Sequence, residues 1–159
     1  VTTVRRVIRE KAFQSLFQLT THEELTADEA IQLALDSTLS LKDVRTLEEA
    51  MALVLPLEAN NEEIVNDALS YLKTLVNGVQ ENRETIDQTI SEHLKNWTLN
   101  RLERTNLLLL RLATYELLYQ PEVDKRIVMN EAIELTKTFN DDKSSKFVNG
   151  ILQSIADSR

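Results

Sequence analysis

The chain has 159 residues, 42% of them hydrophobic and 28% charged, which places one domain's length of sequence in the globular class and excludes disorder. Two glycines and two prolines leave few residues for the positive-φ turns that join strands, so sheets are excluded in favour of helices. A formal charge of −8 speaks against coating nucleic acid with the whole surface, and the lack of cysteine removes zinc fingers, disulfide scaffolds and thiol nucleophiles.

In chain order, Val4, Ile8, Ala12, Ser15 and Leu19, with Leu16 beside them, recur at helical spacing and predict a first helix over about 4–19. Thr26 followed by Glu29 has the spacing of a capping box and predicts a second helix to about Ser37. Residues 38–60 keep a weaker periodicity, broken by Pro56, Asn60 and Asn61, and receive no role. A long helix follows from about Asn61, turning Ile64, Ala68, Leu72, Leu75 and Val79 inward. Gly78 inside it points to close approach of a neighbouring helix. Ile86, Ile90 and Leu94 share a face over 84–96. Asn100 with Glu103 marks the start of a helix to Tyr119 that is apolar on most sides and therefore central. The last two helices run over 126–139 and from about Ser145 to Ala156, and Gly150 inside the last suggests tight packing against the central helix.

The fold class expected is thus all-α, a compact bundle of about seven helices, with subdomains over 1–82 and 83–159. The most apolar window, Leu102 to Tyr119, carries Glu103, Arg104, Arg111 and Glu116, which suits a core helix and no membrane span. Three arginines and no apolar run in the first ten residues are unlike a secretory leader, so a cytoplasmic location is expected.

The chemistry expected is binding. His22 and His93 stand far apart with no metal-ligand spacing, and two glycines cannot build a phosphate-cradling loop, so neither metal nor cofactor is expected. The acidic pairs Glu23/Glu24, Glu48/Glu49, Glu62/Glu63 and Asp141/Asp142 fall at helix ends, where the helix dipole favours them. An enzyme would need two such pairs in one cleft, with environments that separate their pKa values, and no catalytic residue is assigned.

RRVIREK at 5–11 sets four basic groups against Glu10. At 100° per residue Arg5, Arg6 and Arg9 fall within one arc of about 100°, and Phe13 and Phe17 continue it. Guanidinium groups beside aromatic rings suit single-stranded RNA, with arginine on phosphate and bases stacked on rings. The same spacing equally describes a solvated helix end with phenylalanines completing the core, so both readings stay open. In TFNDDKSSKF (138–147), Lys143 and Lys146 flank a helix start, which serves either an anion or plain capping by Asp or Ser.

NEAIELTKTF (130–139) followed by SKFVNGIL (145–152) resembles the C-terminal signature of the NusB family of transcription antitermination factors. ERTNLLLLRLATYELLY (103–119) is similar to that family's preceding helix, and Arg5, Arg6 and Arg9–Leu19 are similar to its arginine-rich start. The resemblance implies a two-subdomain helical fold that binds the boxA element of ribosomal RNA leader transcripts with NusE, a ribosomal small-subunit protein, on elongating RNA polymerase. It implies RNA contacts at Arg5, Arg6 and Arg9; Lys143 and Lys146, from their place at the helix start, are expected to join them. It implies partner contacts at Phe17 and Glu103 and a C-terminal contact region at Phe139, Lys143 and Phe147; Phe13, on the same arc as Phe17, is expected to join the partner surface with Phe139 and Phe147. Phe17 replaces a frequent tyrosine and Lys143 stands where an acidic residue can occur, a change that favours RNA. An exposed Phe13/Phe17 patch would serve NusE or a second copy of the chain. The competing reading is a helical adaptor that binds protein and no RNA.

Overall fold

The computed structural model describes residues 3–37 and 46–158, and among them every regular element is helical. There are eight α-helices: α1 (Val4–Thr21), α2 (Ala27–Asp36), α3 (Leu47–Val54), α4 (Glu62–Glu81), α5 (Arg83–Glu92), α6 (Arg104–Tyr119), α7 (Lys125–Phe139) and α8 (Asp142–Asp157), with short 3₁₀ turns at Leu57–Ala59 and Leu99–Arg101. The additional helix relative to the seven expected is α3. It occupies part of the 38–60 stretch that received no role, capped where Thr46 accepts the Glu49 N–H; residues 38–45 lie outside the described part. The chain divides into two compact units, Val1–Asn77 and Gly78–Arg159. The division falls inside α4, five residues before the boundary expected at 82.

In the first unit, α1 packs on α2 and α2 on α3. Ile8, Ala12 and Leu16 of α1 meet a core that includes Ile31 and Leu35 of α2 and Met51 of α3, all buried. Each isoleucine, leucine and methionine among them contributes about 1.5–3 kcal/mol when fully removed from water. The Thr26 capping box is present in both directions: Thr26 accepts from the Glu29 N–H, and the Glu29 carboxylate accepts from the Thr26 N–H. Lys11, at 1% exposure, is among the largest fully buried side chains. Its amine donates to the Gln14 side chain at 2.9 Å and to the Ala34 carbonyl at 3.0 Å, tying α1 to the last turn of α2.

In the second unit, α6 is the central element, touching α5, α7 and α8. Leu108 through Leu110, Leu112, Ala113, Tyr115 and Leu117 are all buried, as a helix apolar on most sides requires. The Arg111 guanidinium grips the Asp87 carboxylate with two N–H donors at 2.8 and 3.0 Å, pinning α5 to α6. Gly78 stands against the ring of Tyr115, where a Cβ would overlap the ring carbons, which is the close approach its position suggested.

Three sequence expectations are corrected here. Asn100 does not start α6: it lies in the 3₁₀ turn, and α6 begins at Arg104 after Glu103. α8 begins three residues earlier than expected, because Asp141 accepts the Ser144 N–H and so outcompetes Ser145 as the cap. Gly150 serves no tight packing, since a Cβ there would meet nothing within 4 Å.

Candidate nucleic-acid interface

The first-unit part of the candidate site is the start of α1. Thr3 accepts the Arg6 N–H at 3.1 Å and fixes the first turn, from which the Arg5 and Arg6 side chains emerge exposed. The Arg5 guanidinium lies 3.6 Å above the ring centroid of Tyr71, a close cation–π stack that holds it in one orientation. Tyr71 belongs to α4, and its pairing with Arg5 bridges 66 residues of sequence, so helical periodicity carried no signal for it.

The expected arc does not survive beyond this first turn. Arg9 is 4% exposed and Phe13 also 4%, so both are withdrawn from the surface proposed for them. The reason is the width of the buried face. Val7, Ile8, Arg9, Lys11, Ala12, Phe13, Ser15 and Leu16 are all buried; at 100° per residue they cover roughly 240° of the circumference, far wider than one apolar stripe. Residues placed at the edge of a narrow stripe therefore fall inside it. Phe17, in the last turn but one, reaches 36% exposure and stands 6.4 Å from the Phe13 ring. Of the four basic groups at 5–11, two remain outward. Burial pushes the amine of Lys11 below its ordinary range, with the negative charge of Glu10 opposing the shift.

The second-unit part is a cleft of about 410 Å³ lined by Trp97, Arg101, Leu102, Glu103, Asn106, Asp141, Lys143, Ser144 and Phe147. It brings together Glu103, Lys143 and Phe147 from the sequence expectation. Phe139, half-buried at the end of α7, is not in its lining. Lys146 is exposed but opens on a neighbouring cleft of about 310 Å³, with Ile133, Lys137, Asp142 and Asn149. The N-terminus of α8 is satisfied by Asp141, whose carboxyl is held below its usual range chiefly by the Ser144 N–H. Capping, the plainer of the two readings of 138–147, accounts for it.

One wall of the 410 Å³ cleft is a hydrogen-bonded relay. Asn140 donates from its side-chain amide to Glu103 at 2.8 Å and to the Asn106 oxygen at 3.1 Å, and Asn106 donates onward to the Ser144 hydroxyl at 3.2 Å. Trp97 is 50% exposed, meets Phe147 edge-on at 6.5 Å, and has Arg101 5.6 Å above its ring. Sequence reasoning passed over Trp97, Arg101, Asn106 and Asn140. The available signal was composition: Trp97 is the chain's one tryptophan, in a polar run, KNWTLNR.

One acidic pair and a single member of a second share a cleft. Glu48, Glu49 and Glu62 line a cavity of about 260 Å³ in the first unit, with Asn60, Asn61 and Asn66. All three carboxylates are solvent-exposed at helix starts, where the helix dipole favours them, and the Glu49 N–H is taken by Thr46. Among the described residues no group of three or more His, Cys, Asp or Glu could hold a metal, and no helix is long and apolar enough to cross a membrane. His93 is engaged with the Ser154 hydroxyl at 2.7 Å.

Residues 6–157 match the model of the NusB family. The sequence is 44% identical over 148 residues to a transcription antitermination protein NusB of Lysinibacillus sphaericus, covering 93% of each chain. It is 38% identical over 148 residues to the protein of that name from Clostridium botulinum, covering 93% of this chain and 96% of the relative. Among solved structures, T. maritima NusB is similar with a TM-score of 0.73 and 31% identity, over 100% of this chain and 94% of that one. A chain in a crystal structure of the antitermination factors NusB and NusE with double-stranded RNA is similar with a TM-score of 0.74 and 25% identity, over 98% of both chains.

Proposed function

The chain belongs to the NusB family, and we propose on that footing that it is an RNA-binding transcription antitermination factor. In this reading it holds boxA-type RNA together with NusE and acts, in the cytoplasm, on the elongating RNA polymerase complex. It works by binding and has no catalytic step of its own.

The observation that carries the reading is the start of α1. In a chain of net charge −8, two guanidiniums project from one helix turn, and one is oriented by an aromatic platform. Lys143 and Lys146, both exposed on α8, supply further positive charge in the second unit. Arg5, Arg6, Lys143 and Lys146 are accordingly assigned to RNA, and Arg9 is not. Phe17, Glu103, Phe139 and Phe147 are assigned to NusE. With Phe13 buried, Phe17 alone is too small an apolar patch to favour a second copy of the chain. Exposed rings favour single strands over duplex, because a base must leave its stack to reach them.

The test is binding of a boxA-containing RNA against a scrambled RNA and a duplex, each with and without NusE, at two salt concentrations. Preference for the boxA strand, enhanced by NusE and weakened by salt, is expected. Capture of NusE with no RNA bound under any condition would identify the protein-only adaptor instead.

A further inference from the structure

An indole left half in water at the mouth of a cleft is a costly placement for so large an apolar side chain, and it calls for a ligand. Trp97 is such a residue, at 50% exposure. Phe147 steadies it edge-on at 6.5 Å, while Arg101 lies 5.6 Å above the ring, well outside the 3.6 Å stack that Arg5 makes on Tyr71. Lys143 lines the same cleft, along with the carboxylates of Asp141, which caps α8, and Glu103, which accepts from Asn140. The facing wall is polar. Asn106 has both ends of its amide engaged in the relay, and Glu103 accepts from Asn140 through Oε1.

We propose that this cleft receives one unstacked base of single-stranded RNA, packed flat on the Trp97 indole, with Arg101 and Lys143 on the adjoining phosphates. The proposal rests on the RNA-binding reading and extends the site to Trp97 and Arg101. A cleft of about 410 Å³ is at the lower end of the sizes that hold small ligands, and a base with its sugar is a ligand of that scale. The lining's carboxylates are engaged within the fold, and Arg101 and Lys143 suit the same occupant, since a strand brings phosphates on both sides of each base.

The chain's single tryptophan is its own probe. The unaltered protein is titrated with a fluorophore-labelled boxA-containing RNA, reading anisotropy of the label and emission of Trp97 together, with and without NusE and corrected for NusE alone. Quenching of Trp97 with the same midpoint as the anisotropy is expected. Trp97→Leu should weaken binding by about five- to a hundredfold, Trp97→Phe should recover most of the loss, and Arg101→Gln should lower the salt dependence. Anisotropy that saturates while Trp97 emission stays constant overturns the base seat and leaves RNA binding standing. An emission change with NusE alone and none with RNA makes the cleft a protein contact and overturns the seat as well. No anisotropy change under any condition removes both proposals.

Discussion

The burial of Arg9 turns a qualitative idea about charge into a count. Each phosphate contact with a single strand steepens the fall of log K against log salt by about 0.7. Between 50 and 200 mM salt, a fourfold change, one contact is therefore worth about 2.6-fold in affinity, two about 7-fold and three about 18-fold. Arg5 and Arg6 are exposed and Arg9 is 4% exposed, so the α1 end supplies two contacts. The variant carrying Arg5→Gln and Arg6→Gln should lose about 7-fold less affinity across that window than the unaltered chain, and adding Arg9→Gln should change the slope no further. Filter binding of a boxA-containing RNA at four or five salt concentrations reads this directly, with circular dichroism to verify that each variant is folded. A slope untouched by the double substitution, or flattened by Arg9→Gln alone as much as by Arg5→Gln, would refute the reasoning.

Two further predictions concern the scaffold. Gly78→Ala should destabilise the protein by up to about 2 kcal/mol, because overpacking against Tyr115, roughly 1–3 kcal/mol, outweighs the roughly 1 kcal/mol gained in helix propensity. In a Tyr115→Leu background the same substitution should become stabilising; urea unfolding of the four proteins checks the reversal, and the same sign in both backgrounds contradicts it. Lys11 has its pKa lowered by burial in the folded chain, so the cost of its charge is felt in full at pH values below that folded pKa. As pH climbs from there towards the ordinary 10.5, the unfolded chain binds more protons than the folded one, and stability rises relative to Lys11→Met. Thermal melts of both proteins across the alkaline range should show their difference shifting in favour of the unaltered chain, and a constant difference would count against the burial of charge.

The helical class was legible because its signals are local. Sparse glycine, the 3.6-residue recurrence of aliphatic residues and the Thr26/Glu29 box are each settled within a few turns. The all-round apolar character of α6 placed it centrally before any contact was known. What escaped depended on partners distant in sequence. A single stripe was drawn on α1 because periodicity states which way a residue points and not how much of the circumference its neighbours cover; α2 and the rest of the core bury Arg9 and Phe13 along with the stripe itself. Lys11 looked like surface charge until the Ala34 carbonyl, 23 residues away, proved to be its acceptor. Tyr71 beneath Arg5 was invisible for the same reason. In the second unit, the family-like motifs led to Glu103, Lys143 and Phe147, which do share a cleft. Trp97, Arg101 and the two asparagines carry no motif, and only their convergence marks them.

Asn140, where α7 hands over to α8, hydrogen-bonds to Glu103 and Asn106, and through Asn106 to Ser144. That seam fastens the junction to the front of α6 before any guest arrives. A receptor whose rim is already rigid surrenders little conformational freedom on association, so the loss of disorder falls on the incoming strand. Discrimination then hinges on whether a nucleotide can adopt the shape waiting for it, and strands that are stiffly self-stacked or folded back on themselves are turned away by their own reluctance to unwind.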